Sequence, residues 1–153
     1  MTDFYGVNAT KRDVDVPSIK SGIGDDYGRI RCSYEKYTFA ADVLATTDSL
    51  FMNKLPKGAR IIDCFVECGD LGTTGILNIG IDGGANSLET ADPDFFFAAL
   101  DVKAAATKSK MLAGIAGAFH KLLDEVNLVV VPTEDTDAAD TLTIEILVLY
   151  TVD

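Results

Sequence analysis

The sequence contains no tryptophan and a single histidine, His120. One imidazole excludes any metal site built from two or more histidines, and without tryptophan we see no aromatic platform for a sugar-cleaving cleft. His120 stands beside Lys121, and we predict that it is a surface residue. No serine or cysteine occupies a nucleophile-elbow setting. The sequence therefore predicts a protein that is not an enzyme and holds no metal or cofactor.

Cysteine is scarce as well, with three residues in the chain. Cys64 and Cys68 lie on the same face of one predicted strand, roughly 13 Å apart at about 3.3 Å per residue. That separation is beyond the reach of a disulfide bond. We predict that the cysteines are small buried hydrophobic residues of a protein kept in a reducing compartment.

Basic residues are few, since 13 Lys and Arg face 24 Asp and Glu, for a net charge of −11. Residues 1–31 carry five of each sign, so the acidic excess falls on residues 32–153, with eight basic against nineteen acidic residues. Nucleic-acid binding depends on Lys and Arg displacing counterions, and no basic patch is visible. We therefore expect no nucleic-acid partner.

Long apolar runs are missing too. No run approaches 18 residues, and no charged-then-apolar leader follows Met1. The pattern predicts neither a membrane span nor a signal peptide. We expect no membrane partner, and a protein that is made and kept soluble.

Residues 1–28 show weak periodicity, and we predict that they form an extended N-terminal arm ahead of a domain at residues 29–153. The segment has little to bury within itself, so it either lies across its own domain or reaches onto another subunit. Its large apolar residues are the candidate contact residues. They are Phe4, Tyr5, Val7, Val14, Val16, Ile19, Ile23 and Tyr27.

Alternation of apolar and polar residues predicts strands in most of the remaining chain. The predicted strands are residues 29–40, 49–55, 61–68, 76–81, 126–132 and 141–152. In the third of them, Ile62, Cys64, Val66 and Cys68 share one apolar face. The glycine-rich residues 69–75 can reverse the chain, so we predict that the third and fourth strands form a central antiparallel hairpin. In the last strand one face carries Leu142, Ile144, Ile146, Val148 and Tyr150.

Two segments are harder to assign. Asp92 and Pro93 are a good N-cap and first helical residue, so residues 94–100 are predicted as two helical turns, with Phe95, Phe96 and Phe97 divided between the core and a neighbouring loop or subunit. Residues 111–123 fit a helix or a glycine-bearing strand equally well, since apolar residues recur at helical spacing while Gly114 and Gly117 weaken a helix. The apolar residues at helical spacing are Leu112, Ile115, Ala116, Phe119, Leu122 and Leu123.

The strand count and the absence of a βαβ rhythm predict a mostly β protein. The predicted architecture is an antiparallel two-sheet β-sandwich, jelly-roll-like, with an extended N-terminal arm and a short helix.

Carboxylates provide the remaining candidates for chemistry. Residues 134–140 (Glu-Asp-Thr-Asp-Ala-Ala-Asp) carry oxygen ligands of the kind that calcium prefers, but they lack the glycine and the closing glutamate of a helix-loop-helix calcium site. We predict a solvated hairpin tip there. A hydrolytic site would require Glu67, Asp82 and Asp124 to meet in a concave apolar pocket.

Residues 55–61 (Leu-Pro-Lys-Gly-Ala-Arg-Ile) resemble a phrase that opens a central strand in small virion proteins of tailed bacteriophages. Further likeness comes from residues 5–8 (Tyr-Gly-Val-Asn), from residues 69–75 ahead of a strand, and from residues 147–150 (Leu-Val-Leu-Tyr). The resemblance implies a head decoration (cement) protein. Such a protein is a β-sandwich, commonly a homotrimer, that binds the major capsid protein on the outer capsid surface and clamps neighbouring capsomers.

For this chain, the resemblance implies synthesis in the cytoplasm of a host bacterium and a role for the arm residues at a capsid or subunit interface. The alternative is a β-sandwich module for host attachment, carried on a head or tail fibre, that binds a cell-surface glycan or protein.

Overall fold

The computed structural model describes residues 29–84, 86–103, 106–111, 116–136 and 139–152. The predicted arm and its eight candidate contact residues lie outside the described residues.

The described chain forms eight β-strands and no helix. The strands are β1 (Arg31–Asp42), β2 (Leu50–Leu55), β3 (Ala59–Cys68), β4 (Ile76–Gly84), β5 (Asp92–Asp101), β6 (Thr107–Lys110), β7 (Val126–Glu134) and β8 (Ala139–Val152). They build two four-stranded antiparallel sheets. The first sheet has the order β1-β8-β3-β6, and the second has the order β2-β7-β4-β5. The predicted β-sandwich is confirmed.

The pairing follows one rule along the chain: β1 pairs with β8, β2 with β7, β3 with β6 and β4 with β5. The first half of the chain therefore runs against the second half like one long hairpin. This hairpin is folded over so that its strands alternate between two sheets, and β3–β8 and β4–β7 contacts complete each sheet. An eight-stranded double sheet with this connectivity is a jelly roll.

The core lies between the two sheets, where alternate side chains of each strand meet. On β8 the residues Ile144, Ile146, Val148 and Tyr150 are buried and Leu142 packs against them, as the period-two pattern predicts. Facing them from the second sheet are the buried apolar residues of β4 and β7. These include Leu77, Ile79, Ile81, Val126, Leu128 and Val130.

The predicted central hairpin is wrong. Strand β3 pairs with β8 and β6, whereas β4 pairs with β7 and β5 in the other sheet. The glycine-rich segment at residues 69–75 carries the chain across the sandwich, with Leu71 buried in the crossing and its N–H bonded to the Val102 carbonyl at 3.1 Å. Sheets pack about 10 Å apart, a distance that this segment spans easily.

The predicted apolar face of β3 is confirmed for three of its four residues. Cys64, Val66 and Cys68 are buried, but Ile61 is buried in place of Ile62. The pairing with β8 shifts register between Ile61 and Asp63. One additional residue at this bulge turns both Ile61 and Cys64 toward the core, which strict alternation cannot do.

The helix predicted at residues 94–100 is wrong, since the whole segment belongs to β5. Phe95, Phe96 and Phe97 are all buried. Phe97 pairs with Ile79 while Asp92 pairs with Ile81, so four residues of β5 bulge between two successive pairs. Short helical turns would expose part of the triple phenylalanine, whereas the bulged strand places all three rings in apolar surroundings.

Residues 111–123 follow neither of the two predicted alternatives in their described part. Residues 116–119 form turns, and Lys121 forms one isolated bridge with Arg60. Leu122 is buried, whereas Phe119 and Leu123 are exposed. The turns cover Phe95, whose carbonyl accepts the Gly117 N–H at 2.8 Å. The expected contact between the triple phenylalanine and a neighbouring loop is therefore present.

The bulge in β5 predicts a strict requirement for glycine at position 80. A Cβ atom on Gly80 would lie 2.5 Å from the carbonyl carbon of Pro93, closer than real Cβ contacts come. We expect Gly80→Ala to lower the free energy of unfolding by about 1–3 kcal/mol, because backbone must move. Urea denaturation measures this change.

Gly75→Ala is the matched control for that substitution. Its Cβ would meet a side-chain methyl of Val102 at 3.3 Å, and a methyl can shift slightly. We expect a clearly smaller loss there. Equal losses in the two variants would contradict the close passage of β5 over β4.

Candidate interaction surfaces

The three carboxylates considered for hydrolysis do not form one site. Glu67 lies on the outer face of the first sheet and pairs with Lys108 at 2.8 Å. Asp82 belongs to the second sheet and accepts the backbone and side-chain N–H groups of Asn127 at 2.8 and 2.6 Å. Because Glu67 and Asp82 lie on different sheets, each with its own partner, the three carboxylates do not meet in the pocket that a hydrolytic site would require.

His120 is half-buried, so its prediction as a surface residue is only partly right. Its Nε2 lies 3.1 Å from Glu89 Oε1, and its ring packs edge-on against Phe95 with centroids 5.3 Å apart. Among the described residues, no three His, Cys, Asp or Glu side chains are grouped as metal ligands would be. Residues 137 and 138 lie outside the described residues, so the predicted acidic hairpin tip stays a prediction. None of the described residues forms a helix of the length and apolarity that a membrane span needs.

The three cysteines are free thiols in different surroundings. Cys64 and Cys68 are buried as predicted, and burial raises the pKa of both thiols, that of Cys68 to about 12. Cys32 on β1 is exposed, so its predicted burial is wrong. It lies on the outer face of the first sheet because the opposite parity of β1, which includes Ser33 and Phe39, faces the core.

Three large exposed apolar side chains lie on two segments that Glu89 connects, and we name these three residues the apical patch. Its members are Leu88, Phe119 and Leu123, exposed by 53%, 71% and 56%. Leu88 also lines a cleft of about 340 Å³, together with Phe95 and His120. The sequence pattern placed Phe119 and Leu123 on one helical face, but the observed turn separates them from buried Leu122.

Glu89 holds the apical patch together. Its Oε1 accepts the Leu123 N–H at 2.6 Å and contacts Nε2 of His120. His120 directly follows Phe119 in the chain. Its own backbone carbonyl accepts the Gly84 N–H at 3.0 Å, which closes the turn that presents Leu88. A single nearly buried carboxylate thus connects the segments that carry all three patch residues.

The backbone of the apical patch is strained. Phe119 has φ 59° and Ser87, next to Leu88, has φ 58°. A left-handed conformation costs a residue with a Cβ atom roughly 1–2 kcal/mol. For Phe119 no core burial offsets this cost, because its ring projects into solvent. Such strain is typical of residues positioned for contact with another molecule.

Asp124 supports the turn beneath the patch. Its carboxylate accepts the backbone and side-chain N–H groups of Asn86 at 2.6 and 2.8 Å and the Glu125 N–H at 2.9 Å. The hydrogen bonds from Asn86 hold the pKa of the Asp124 carboxyl below its usual range. Gly84 allows this approach, since a Cβ there would lie 2.5 Å from the Asp124 side chain.

The outer face of the first sheet is built from two adjacent rows of side chains that run across all four strands. The charged row is Lys36, Glu145, Glu67 and Lys108, and the apolar row is Tyr34, Leu147, Phe65 and Lys110. Tyr34, Leu147 and Phe65 line a shallow groove of about 280 Å³.

Every charge in these rows has a partner. Lys36 contacts Glu145 at 2.9 Å, and the Tyr34 hydroxyl donates to the same carboxylate at 2.8 Å. Hydrogen bonds from Lys36 and Tyr34 therefore lower the pKa of Glu145. Lys110 contacts Asp63 at 2.8 Å and lies over the Phe65 ring, 5.6 Å from its centroid. The face thus combines an apolar groove with a balanced rim of charge.

Comparison with known proteins gives a likeness of fold. No protein-family model matches the chain, and no curated protein matches its sequence. A chain in the cyanophage Pam1 capsid asymmetric unit is similar in structure, with a TM-score of 0.68 and 18% identity over 91% of this chain and 96% of that chain. A chain in the capsid of Ralstonia phage GP4 is similar with a TM-score of 0.62 and 19% identity, over 95% of this chain and 96% of that chain. At these identities the likeness shows a shared fold.

The lowered pKa of Asp124 predicts a specific loss of stability in acid. Because the folded pKa is below the unfolded value near 3.8, its contribution is complete above that pH and disappears as pH falls through the folded pKa. We expect the difference in urea midpoint between wild type and Asp124→Asn to be largest at neutral pH and to shrink below about pH 4. Parallel curves down to pH 2 would contradict the assignment.

Proposed function

We propose that this protein is a non-enzymatic capsid decoration (cement) protein of a tailed bacteriophage, which binds the outer surface of the head and stabilises contacts between capsomers. The observation that carries the proposal is the jelly-roll likeness, over more than nine-tenths of the chain, to chains of two phage capsids. The phrase at residues 55–61 supports it independently, because it resembles small virion proteins. In the structure this phrase leads from β2 into β3, a central strand of the first sheet.

The charge of the protein favours the outside of the head. With a net charge of −11, the protein is repelled by packaged DNA, which is itself densely negative. The described surfaces also supply contact chemistry, namely exposed apolar groups and paired charges. Cement activity needs only such contacts, since clamping capsomers breaks no bond.

The proposed partner is the major capsid protein, and the proposed assembly is a homotrimer. Three linked copies bind with a higher effective concentration than one, so individually weak contacts hold firmly. The eight apolar residues of the predicted arm are proposed to contribute at the capsid or at the interface between subunits.

The apical patch is the proposed capsid contact of the folded domain. Phe119, Leu88 and Leu123 are exposed apolar residues on segments that Glu89 connects. Aromatic anchors contribute most of the binding energy of many protein interfaces when they enter a partner's pocket. The left-handed backbone at Phe119 sets the direction in which its side chain leaves the chain, so that only the side-chain torsions remain to be ordered on contact.

Binding to capsids is the direct test. Purified protein is mixed with phage heads that lack it, and the heads are sedimented and imaged by electron microscopy. We expect saturable density on the outer surface and heads that withstand higher temperature. Absence of the protein from purified virions, or binding to host cells or glycan arrays without any affinity for heads, would overturn the proposal and favour the attachment module.

Phe119→Asn separates binding from folding. Asparagine tolerates a left-handed backbone better than phenylalanine, so we expect a free energy of unfolding equal to or above that of wild type. Loss of the aromatic anchor should weaken capsid binding by about tenfold or more, measured by sedimentation.

Phe51→Asn is the control for that substitution. Phe51 is also an exposed phenylalanine, but it lies on β2, outside the apical patch. We expect this variant to retain capsid binding. Full binding by Phe119→Asn would exclude the apical patch as the capsid contact while leaving the cement function testable through the wild-type protein.

A further inference from the structure

We propose that the outer face of the first sheet is the docking site for the N-terminal segment of this chain, residues 1–28, and that an aromatic or large aliphatic side chain of the segment fills the groove between Tyr34, Phe65 and Leu147. This inference concerns contacts of residues 1–28 with the folded domain, in the same copy or in a neighbouring copy of the chain, and holds whether or not the protein binds capsids.

The electrostatics of the face set it apart from the rest of the domain. Residues 32–153 carry eight basic and nineteen acidic residues, yet this face holds three lysines and three carboxylates in pairs. The pairs are Lys36–Glu145, Lys108–Glu67 and Lys110–Asp63. A neutral face surrounded by negative charge is where a segment that itself carries acidic groups is least repelled.

The groove has the size of a side-chain pocket. Its volume of about 280 Å³ and its apolar walls suit one or two large apolar side chains rather than a globular surface. Tyr34 remains 53% exposed, although its hydroxyl is already bonded to Glu145. Covering its ring would therefore bury apolar surface without leaving a polar group unpaired.

The position of the segment matches the position of the groove. Residues 1–28 join the domain just before β1, an edge strand of this same sheet, and Tyr34 of β1 is one wall of the groove. The segment supplies two aromatic residues near its start, Phe4 and Tyr5. At roughly 3.3 Å per extended residue, the chain can run out from β1 and return across the sheet several times over.

A second copy packed through the same face is disfavoured by its charges. The charged row reads Lys, Glu, Glu, Lys across the sheet. If two such faces overlap fully about a two-fold axis that runs along the strands through the middle of the sheet, Glu145 faces Glu67 of its partner and Lys36 faces Lys108. If the axis runs across the strands along the charged row, each of these residues faces its own copy. Both arrangements bring like charges together, which is destabilising.

Cys32 provides the test, because it is the exposed cysteine and lies two residues from Tyr34 on the same face. The rate of its modification by a thiol reagent is measured in the full-length native protein, with the urea-unfolded chain as reference. We expect Cys32 in the native wild type to react at least about tenfold more slowly than Cys32 in variants whose outer face is left uncovered. Full-length variants in which Phe4 and Tyr5 are both serine, or with Phe65→Lys, should restore fast modification.

Phe51→Lys is the matched control, since it adds the same charge at an exposed phenylalanine of the second sheet, and Cys32 should stay protected. Protection of Cys32 at every protein concentration indicates docking within one chain. Protection that grows with protein concentration but is lost on changing Phe4 and Tyr5 indicates docking of a neighbour's segment. Both results support the proposal. Fast modification of the native wild type, or protection unaffected by the Phe4 and Tyr5 changes, would overturn it. Circular dichroism checks that each variant keeps its β structure.

Discussion

The structure depends on one constraint, that the apolar faces of two sheets must cover each other. Neither sheet has a helix over it among the described residues, so each core-facing side chain finds its contacts in the other sheet or in the loops that close the ends. This requirement is met at the glycine-rich segment, where the chain crosses between the sheets, because the apolar faces of β3 and β4 are then buried in the same core. It also explains why Leu71 is buried in a loop that otherwise contains small and polar residues.

The same constraint explains the irregularities of the strands. In β3 an extra residue lets Ile61 and Cys64 both face the core, and in β5 a larger bulge buries three consecutive phenylalanines. Gly80 makes the second bulge possible, because β5 passes where a side chain would otherwise stand. Regular hydrogen bonding is given up at these places, and the burial of large apolar groups offsets that loss.

Because the core-facing side chains of the two sheets cover each other, the apolar groups that remain exposed are the candidates for contacts with other segments or molecules. Phe119 and Leu123 are exposed on a segment that hydrogen-bonds to Glu89, and Tyr34 and Phe65 line a groove on a face with balanced charge. These two surfaces have different characters: one is a strained projecting end, suited to entering a partner, and the other is a shallow receiving groove. This division fits the two contacts proposed above, one with a capsid and one with residues 1–28.

The sequence by itself determined the period-two strands, the β-sandwich class, the buried face of β8 and three of the four buried residues predicted on β3, because alternation along a strand is a local property that a half-buried sheet imposes. It did not determine which strands share a sheet, the strand at residues 92–101, or the exposure of Cys32 and Phe119. Those features depend on which distant segment covers each side chain. At Asp92–Pro93 the local helix-capping signal is overridden, because a strand there buries three phenylalanines. The apical patch and the rows of the first sheet also arose only in the tertiary structure, since their residues come from strands and loops far apart in the chain.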